Sequence, residues 1–595
     1  MMISLFPSTF KLSTFKLQPM RKLFIFISAI LISTISIAQE TSKDTLKTEE
    51  ILVVKPYTPK ISDAFKIKIN PTLNSLNQIQ KENVSYSIFS IPVASTFTPS
   101  KGKAQTIKKA SKERLFDNYI TAGFGNFTSP LIEAYIHSGD PRYNDFGLFL
   151  NHHSSEGGIK DVLLNDSFAN TRIDGYYKQY DRYYNWQINA GVQRELYNYY
   201  GLPSEMTFDD AFIESLDEKQ IYKNFYVGGK VSFEDSVFKG VSAELVNLSD
   251  NYNSNEFRFL VKPKVEFPIS TELINAEFSL DYLSGSFKQD YTTSNEVKYN
   301  FFNLGFSPNF EVLRDNLTLN LGAKLYYANN LEAETNEFYA YPNVDASLKL
   351  VDDVFILVAG VNGDLEQNSY RNFSQDNPYV SPTLNIQQTD KKYRAYIGAK
   401  GKLASNASFN FNVSHTNAEN RPIFIKNPSL TNGSSSITHA FQAGNSFNII
   451  YDNVKSLDFY GEITIDASKE FNLGASINYS NFTPENEAEV WNTPEMRATV
   501  SANYNNNSWF AGAKLFYRGE TKDVGAESEI INITNSILTN ESYIDLNFNG
   551  GYIFSDRLSA FAKINNALGK KYFSYTNYQV QTLQILAGIT YKFDL

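Results

Sequence analysis

The chain has 595 residues, with 54 Lys and Arg against 64 Asp and Glu, a formal charge of −10 and no cysteine. That balance excludes a nucleic-acid partner, which requires a basic face, and the missing thiol excludes disulfides, thiolate metal sites and a lipid-modified cysteine anchor. A mean hydropathy of −0.33 gives no sign of membrane helices, although a barrel would escape such an average because its lipid-facing and lumen-facing residues cancel.

From Met20 the chain reads MRKLFIFISAILISTISIAQE. Arg21 and Lys22 precede an apolar run starting at Leu23, and Ser36-Ile37-Ala38 is a small-x-small cleavage site, which together make a secretory signal peptide. The run of about 16 apolar residues is short of the ~20 that a membrane-spanning helix needs. Residues 1–38 are therefore read as a signal peptide, with Met20 an alternative start and Gln39 the mature N-terminus.

Residues 39–117 form a short periplasmic or lumenal segment. Ile51, Leu52, Val53, Val54, Ile88, Phe89, Ile91 and Val93 could supply one small apolar layer. A segment of this length is marginal as an independent domain. The expectation is that 82–97 lie extended inside a barrel while 40–60 stay in the periplasm. The basic stretch KGKAQTIKKASKER (101–114) reads as a solvated linker.

From Asn118 onward the hydrophobicity alternates with period two. Residues 257–267 set Phe257, Phe259, Val261, Val265 and Phe267 against Arg258, Lys262, Lys264 and Glu266. The same split recurs at 317–327, 406–413 and 471–480. It ends with Leu583, Ile585, Ala587, Ile589, Tyr591 and Phe593 against Thr582, Gln584, Gly588, Thr590 and Lys592. A half-buried strand of a soluble sandwich also alternates, but soluble strands run about 5–6 residues, whereas a strand tilted across a bilayer needs about 9–11. One soluble core would also have to cover all these apolar faces, and single cores stop growing at about 250–300 residues.

Short turns fall at 313–316, 351–353, 404–406, 468–470, 505–508 and 555–557. Longer polar connections fall at 366–391, 416–453, 482–493, 520–540 and 568–581. Short periplasmic turns alternating with long external loops are the rhythm of an outer-membrane barrel. FNIIYDNV (447–454) looks like a strand, but counting it separately would put two short turns in succession, so it is assigned to an external loop. The reading is an all-β, transmembrane antiparallel barrel of about 22 strands over 118–595, both ends periplasmic. At that size the lumen is wide and normally plugged, and the polar inward faces suit water or a polar plug rather than a packed core. Aromatic residues (46 Phe, 38 Tyr) gather at strand ends such as YKF and LFYRG, where girdles would meet the headgroups.

No phosphate loop, nucleophile elbow or zinc-binding His motif occurs, so neither an enzyme nor a cofactor is expected. His152 and His153 are adjacent on a strand and point to opposite faces, which keeps them from sharing a metal.

The C-terminal LSAFAKINNALGKKYFSYTNY…LQILAGITYKF (558–593) resembles the last two strands of TonB-dependent receptors. YVSPTLNIQQTDKKYRAYIGAKGKL (379–403) and VKSLDFYGEITIDASKEFNLGASINYSNF (454–482) resemble internal strand pairs of that family. The resemblance spans roughly 118–595, except that Asp594-Leu595 follow the expected terminal Phe593. It implies a bacterial outer-membrane receptor importing a bulky solute. It also implies an N-terminal plug, of which residues 39–117 would be a truncated form lacking the family's RG turn. EEILVV (Glu49, Glu50, Ile51, Leu52, Val53, Val54) is similar to the TonB box, which donates an edge strand to TonB. The expected partners are outer-membrane lipid, TonB, and other outer-membrane or periplasmic proteins. Two alternatives stay open: a passive porin, and a non-transporting barrel subunit of a larger outer-membrane assembly.

Overall fold

The computed structural model folds the chain from Asn118 to Phe593 into one antiparallel sheet of 22 strands, each paired with the next along the chain. It describes residues 116–594 apart from 141, 270–271, 353, 436 and 526–536. The signal peptide, the expected lumenal stretch 82–97, the basic linker and Glu49–Val54 all lie outside the described residues. The first strand, Asn118–Gly125, pairs with the last, Gln584–Phe593, from Asn118 opposite Phe593 to Gly125 opposite Leu586. That seam closes the barrel and removes its edges. Hydrocarbon offers backbone groups no partner, so only helices and closed barrels can span it.

The alternation read from the sequence sorts the two faces of the wall. Leu321, Tyr327, Phe411, Val413, Ile477, Tyr479, Ile585, Ile589 and Tyr591 form an exposed apolar exterior. Residues of the other parity bond across the lumen side. Arg258 donates two hydrogen bonds to Asp281 at 2.9 and 2.6 Å. Asp364 accepts from Lys324 Nζ and Tyr326 Oη, both at 2.8 Å. Tyr396 Oη donates to Asp345 at 2.6 Å. The Lys324–Asp364 and Tyr396–Asp345 bonds each skip a strand, a reach that a concave inner wall permits.

The short turns lie where the sequence places them, for example between Arg314 and Leu317 and between Ala404 and Ala407. Aromatic pairs collect at that end. Trp509 meets Tyr552 at 4.7 Å, Tyr177 meets Trp186 at 5.3 Å, and Tyr591 stacks with Phe593 at 6.2 Å. Phe516 of LFYRG departs from the expected girdle. It lies opposite Thr499 and Asp545 on the lumen face, at the other end of the wall.

One assignment is corrected. Residues 447–454 are not external loop but the opening of the 20-residue strand Phe447–Asp466, paired with Ala407–Lys426 up to Phe447 opposite Lys426. Both strands run well beyond the ~9–11 residues that cross a bilayer, so the hairpin continues outward as a paired stalk. The count of 22 stands because the extension belongs to a strand already counted.

His152 and His153 separate as expected. His152 Nδ1 bonds Thr171 Oγ1 at 2.8 Å and His153 Nε2 bonds Ser129 Oγ at 3.2 Å. No group of three or more metal-capable side chains occurs among the described residues.

Candidate functional site

The largest apolar core lies not in the barrel wall but across its outer mouth, where five loops converge: 156–167, 199–218, 368–387, 427–446 and 566–583. Tyr199, Val380, Leu384, Phe447 and Tyr578 are fully buried there, with Tyr200, Tyr370 and Phe373 almost so. They pack on Tyr222, Leu248, Leu283, Phe287, Tyr299 and Phe301, which rise from the outer ends of the wall strands. The expectation of a purely polar interior fails at this level.

The choice of tyrosine has a reason. A loop inside a core has no ladder to satisfy its carbonyls, and each buried orphan is costly. Tyrosine fills volume and carries a donor to the same place. Tyr199 Oη donates to Val380 O at 2.8 Å, Tyr222 Oη to Pro378 O at 2.9 Å, and Tyr200 Oη to Gln579 O at 2.9 Å. Tyr575 Oη donates to Asp376 O at 2.7 Å and Tyr578 Oη to Asn445 O. Each bond ties together segments distant in sequence. Asn445 Nδ2 donates to Tyr199 O at 2.6 Å, so the Tyr199 and Tyr578 loops are joined through Asn445.

Tyr578 sits at the crossing point. Its ring stacks on Tyr379 at 3.5 Å and meets Tyr200 edge-on at 4.9 Å. Gly201 lies flat against it: a Cβ there would stand 2.6 Å from the ring, so no larger residue fits without displacing Tyr578.

The helix α1, Tyr370–Asp376, is too short to form alone. Its exposed N–H groups are met in full. Ser369 Oγ accepts from Asn372 N at 3.1 Å, and the buried Glu256 carboxylate accepts from Tyr370 N at 2.6 Å and Arg371 N at 3.1 Å. A carboxylate at this end also suits the helix dipole. Tyr370 Oη donates to Asp250 at 2.9 Å and accepts from Gln220 Nε2 at 3.2 Å. Burial raises the Asp250 carboxyl above its ordinary range, against hydrogen bonds from Ser254, Tyr370 and Tyr252 that favour its charge. Burial likewise lifts the Tyr199, Tyr370 and Tyr578 hydroxyls well above theirs. All three stay neutral at physiological pH.

Beside this cap the inner wall opens into a cavity of about 670 Å³, lined by Arg497, Lys514, Phe516, Arg518 and Tyr543 from the wall and by Asp376, Phe424, Asn492 and Tyr575. The wall residues share one face by register: Arg497 lies opposite Arg518, Thr499 opposite Phe516, Ser501 opposite Lys514 and Arg518 opposite Tyr543. The opposite parity, Val500, Leu515 and Ile544, is apolar and exposed.

None of these positions was singled out from the sequence, and the one site that was, Glu49–Val54, lies outside the described residues. A signal for the cap existed: YNYYGLP (197–203), NPYV (377–380) and SYTNYQV (574–580) put tyrosines where solvated loops carry small polar residues.

No family model and no curated relative matches the chain. Solved structures do. The ferripyoverdine receptor of the outer membrane of Pseudomonas aeruginosa, bound to ferripyoverdine, superposes with a TM-score of 0.57 at 13% identity, over 82% of this chain and 72% of that one. The FrpB iron transporter from Neisseria meningitidis gives 0.60 at 10% identity, over 81% and 82%. The siderophore receptor PiuA from Acinetobacter baumannii gives 0.55 at 10%, over 81% and 82%. At such identities the likeness is one of fold: the chain folds as a closed 22-stranded antiparallel barrel, the architecture read from its strand rhythm, and that fold is shared with these receptors, as its resemblance to the TonB-dependent family implied.

Proposed function

We propose that the protein is a bacterial outer-membrane receptor of the TonB-dependent type, without enzymatic activity, which admits a bulky solute only when energised from the periplasm. The observation that carries this reading is the tyrosine core across the mouth. A passive porin needs an open path, and here five loops meet across the mouth in a core of buried aromatic rings. The fold of the siderophore and iron receptors supports the same class.

In this reading residues 1–38 direct export, 39–117 are a short periplasmic or lumenal segment standing for a truncated plug, and Glu49–Val54 pair as an edge strand with a TonB-like partner. Deleting 47–55 tests it. Growth on the limiting solute should fail while barrel assembly, read from heat-modifiable gel migration, is unchanged. Unimpaired uptake by the deletion would overturn the energised-receptor reading.

A second reading has its own support. The cap is bound by a continuous core rather than by solvated loops, which suits a barrel kept permanently shut as a subunit of a larger outer-membrane assembly. Co-purification of a stoichiometric partner, with no nutrient-dependent phenotype on deletion, would favour it.

A further inference from the structure

We propose that the cavity beside the cap is a binding site for a small organic anion, a carboxylate or phosphate carried on a flat apolar body, with Arg497 and Arg518 as its clamp. The proposal deepens the receptor reading by naming a ligand class, and it rests on that reading for its biological meaning.

Charge is the first argument. Arg497, Lys514 and Arg518 line the cavity together with one carboxylate, Asp376. Arg497 and Arg518 stand directly opposite each other on adjacent antiparallel strands, an arrangement of like charges that destabilises a sheet. Other lumen-wall cations have carboxylate partners, as with Arg258–Asp281 at 2.6 Å and Lys324–Asp364 at 2.8 Å. Among the described residues no carboxylate forms an ion pair with any of the three. Asp545, opposite Phe516 on the same face, has one oxygen engaged by Tyr572 Oη at 2.6 Å, and its other oxygen has no partner.

Orientation is the second argument. Arg518 is held by neutral carbonyls, donating from Nη1 to Ser574 O at 2.7 Å and from Nη2 to Asn492 O at 3.5 Å. Those contacts fix the guanidinium without neutralising it. The Arg497 guanidinium makes no hydrogen bond within the described residues, so its planar donor set remains free for a bidentate carboxylate or phosphate.

The walls supply the rest. Phe516 and Tyr543 meet edge-on at 6.1 Å, Tyr543 is stacked on Tyr572 at 3.8 Å, and Tyr575 meets Phe424 at 6.2 Å. Aromatic faces beside paired cations select a ligand with a flat body as well as a charge. The volume lies within the ~300–1,000 Å³ usual for small-molecule sites.

Benzoate and phenyl phosphate serve as probes, titrated calorimetrically into the detergent-solubilised full chain, with inorganic phosphate and neutral benzamide beside them. At least one aryl anion should bind saturably, tighter than inorganic phosphate, while benzamide should not bind. Arg497→Gln should weaken binding about 10- to 100-fold, the effect of losing a charged hydrogen-bond partner. Because Arg497 bonds nothing in the cap, hydrogen exchange at Ser381 and Phe447 should be unchanged in that variant. Which anion binds better decides between a carboxylate and a phosphate ligand. No saturable binding of either probe below about 10 mM, or equal binding by wild type and Arg497→Gln, overturns the site. Anion binding in a strain whose 47–55 deletion leaves uptake intact would instead overturn the energised-receptor reading and keep the site.

Discussion

Tyr578→Ala is the sharpest test of the cap as a cooperative structure. The side chain is fully buried, stacked on Tyr379, edge-on to Tyr200, and bonded through Oη to Asn445 O. Truncating a buried aromatic ring to alanine costs about 3–5 kcal/mol, the spread reflecting how far the surroundings collapse. Tyr578→Phe keeps the ring and removes only the donor, leaving one buried carbonyl unsatisfied, at about 1–3 kcal/mol. At 1.4 kcal/mol per decade these become roughly 10²- to 10⁴-fold and 5- to 150-fold more frequent opening. The reporters are the Ser381 and Phe447 amides, which join loop 368–387 to the start of strand Phe447–Asp466 by bonds to Phe447 O at 2.8 Å and Tyr379 O at 3.0 Å. Hydrogen exchange of peptides covering 379–384 and 445–449 should accelerate in the order wild type, Phe, Ala. Wall peptides within Phe355–Gln367 serve as the control and should not change. Unchanged exchange at Ser381 and Phe447 in the alanine variant would refute the idea that one packed core holds the loops together.

Other outcomes follow from neighbouring residues. Gly201→Ala pushes a Cβ into the Tyr578 ring and should loosen the same peptides by about 1–3 kcal/mol, the usual cost of overpacking. Asp250 has a raised carboxyl pKa, so its protonated form is favoured in the closed cap. That contribution is full below the ordinary aspartate value and is lost as pH rises through the raised one. Exchange at Tyr370 and its neighbours should slow on acidification across that window, and Asp250→Asn should flatten the dependence. The buried tyrosines act at the other end of the scale. Their stabilisation is intact below the free-tyrosine value of 10.0 and is lost above it. Absorbance titration should find a tyrosine class that ionises only as the cap opens at alkaline pH.

The barrel was legible because each wall residue answers a binary question, lipid or lumen, and period two records the answer in a single sequence. Closing a strand on Tyr591-Lys592-Phe593 and turning at Asp315-Asn316 needed no tertiary information. The cap had no such period. Tyr199, Tyr370 and Tyr578 are buried by one another, so each looks like an ordinary loop residue until the others are placed. The stretch 447–454 failed for a related reason. It looks like a strand, but as a separate strand it would put two short turns in succession, and nothing local shows that it instead prolongs the strand that follows. Arg497 and Arg518, 21 positions apart in the sequence, become a pair only through the register of two strands. The N-terminal segment was read from composition and from likeness alone, with no wall to constrain it.

The seam between Asn118–Gly125 and Gln584–Phe593 has a consequence for how the protein is made. Its two strands come from opposite ends of the barrel sequence, so until the closing strand finds the first there is no cylinder, only a sheet with two raw margins. Such a sheet cannot rest in hydrocarbon, and pairing its most distant strands is the slowest kind of contact to find. Above the seam, Asn126 Nδ2 reaches Leu583 O at 2.8 Å, and Gln581 Nε2 reaches Ser155 Oγ at 2.8 Å and Gly157 O at 2.9 Å. These latches also bring together the first and last loops. Insertion is thereby made contingent on the closing strand, Gln584–Phe593. Without that strand the opening strand Asn118–Gly125 has no partner on one side, and the edge left bare is one that hydrocarbon cannot satisfy.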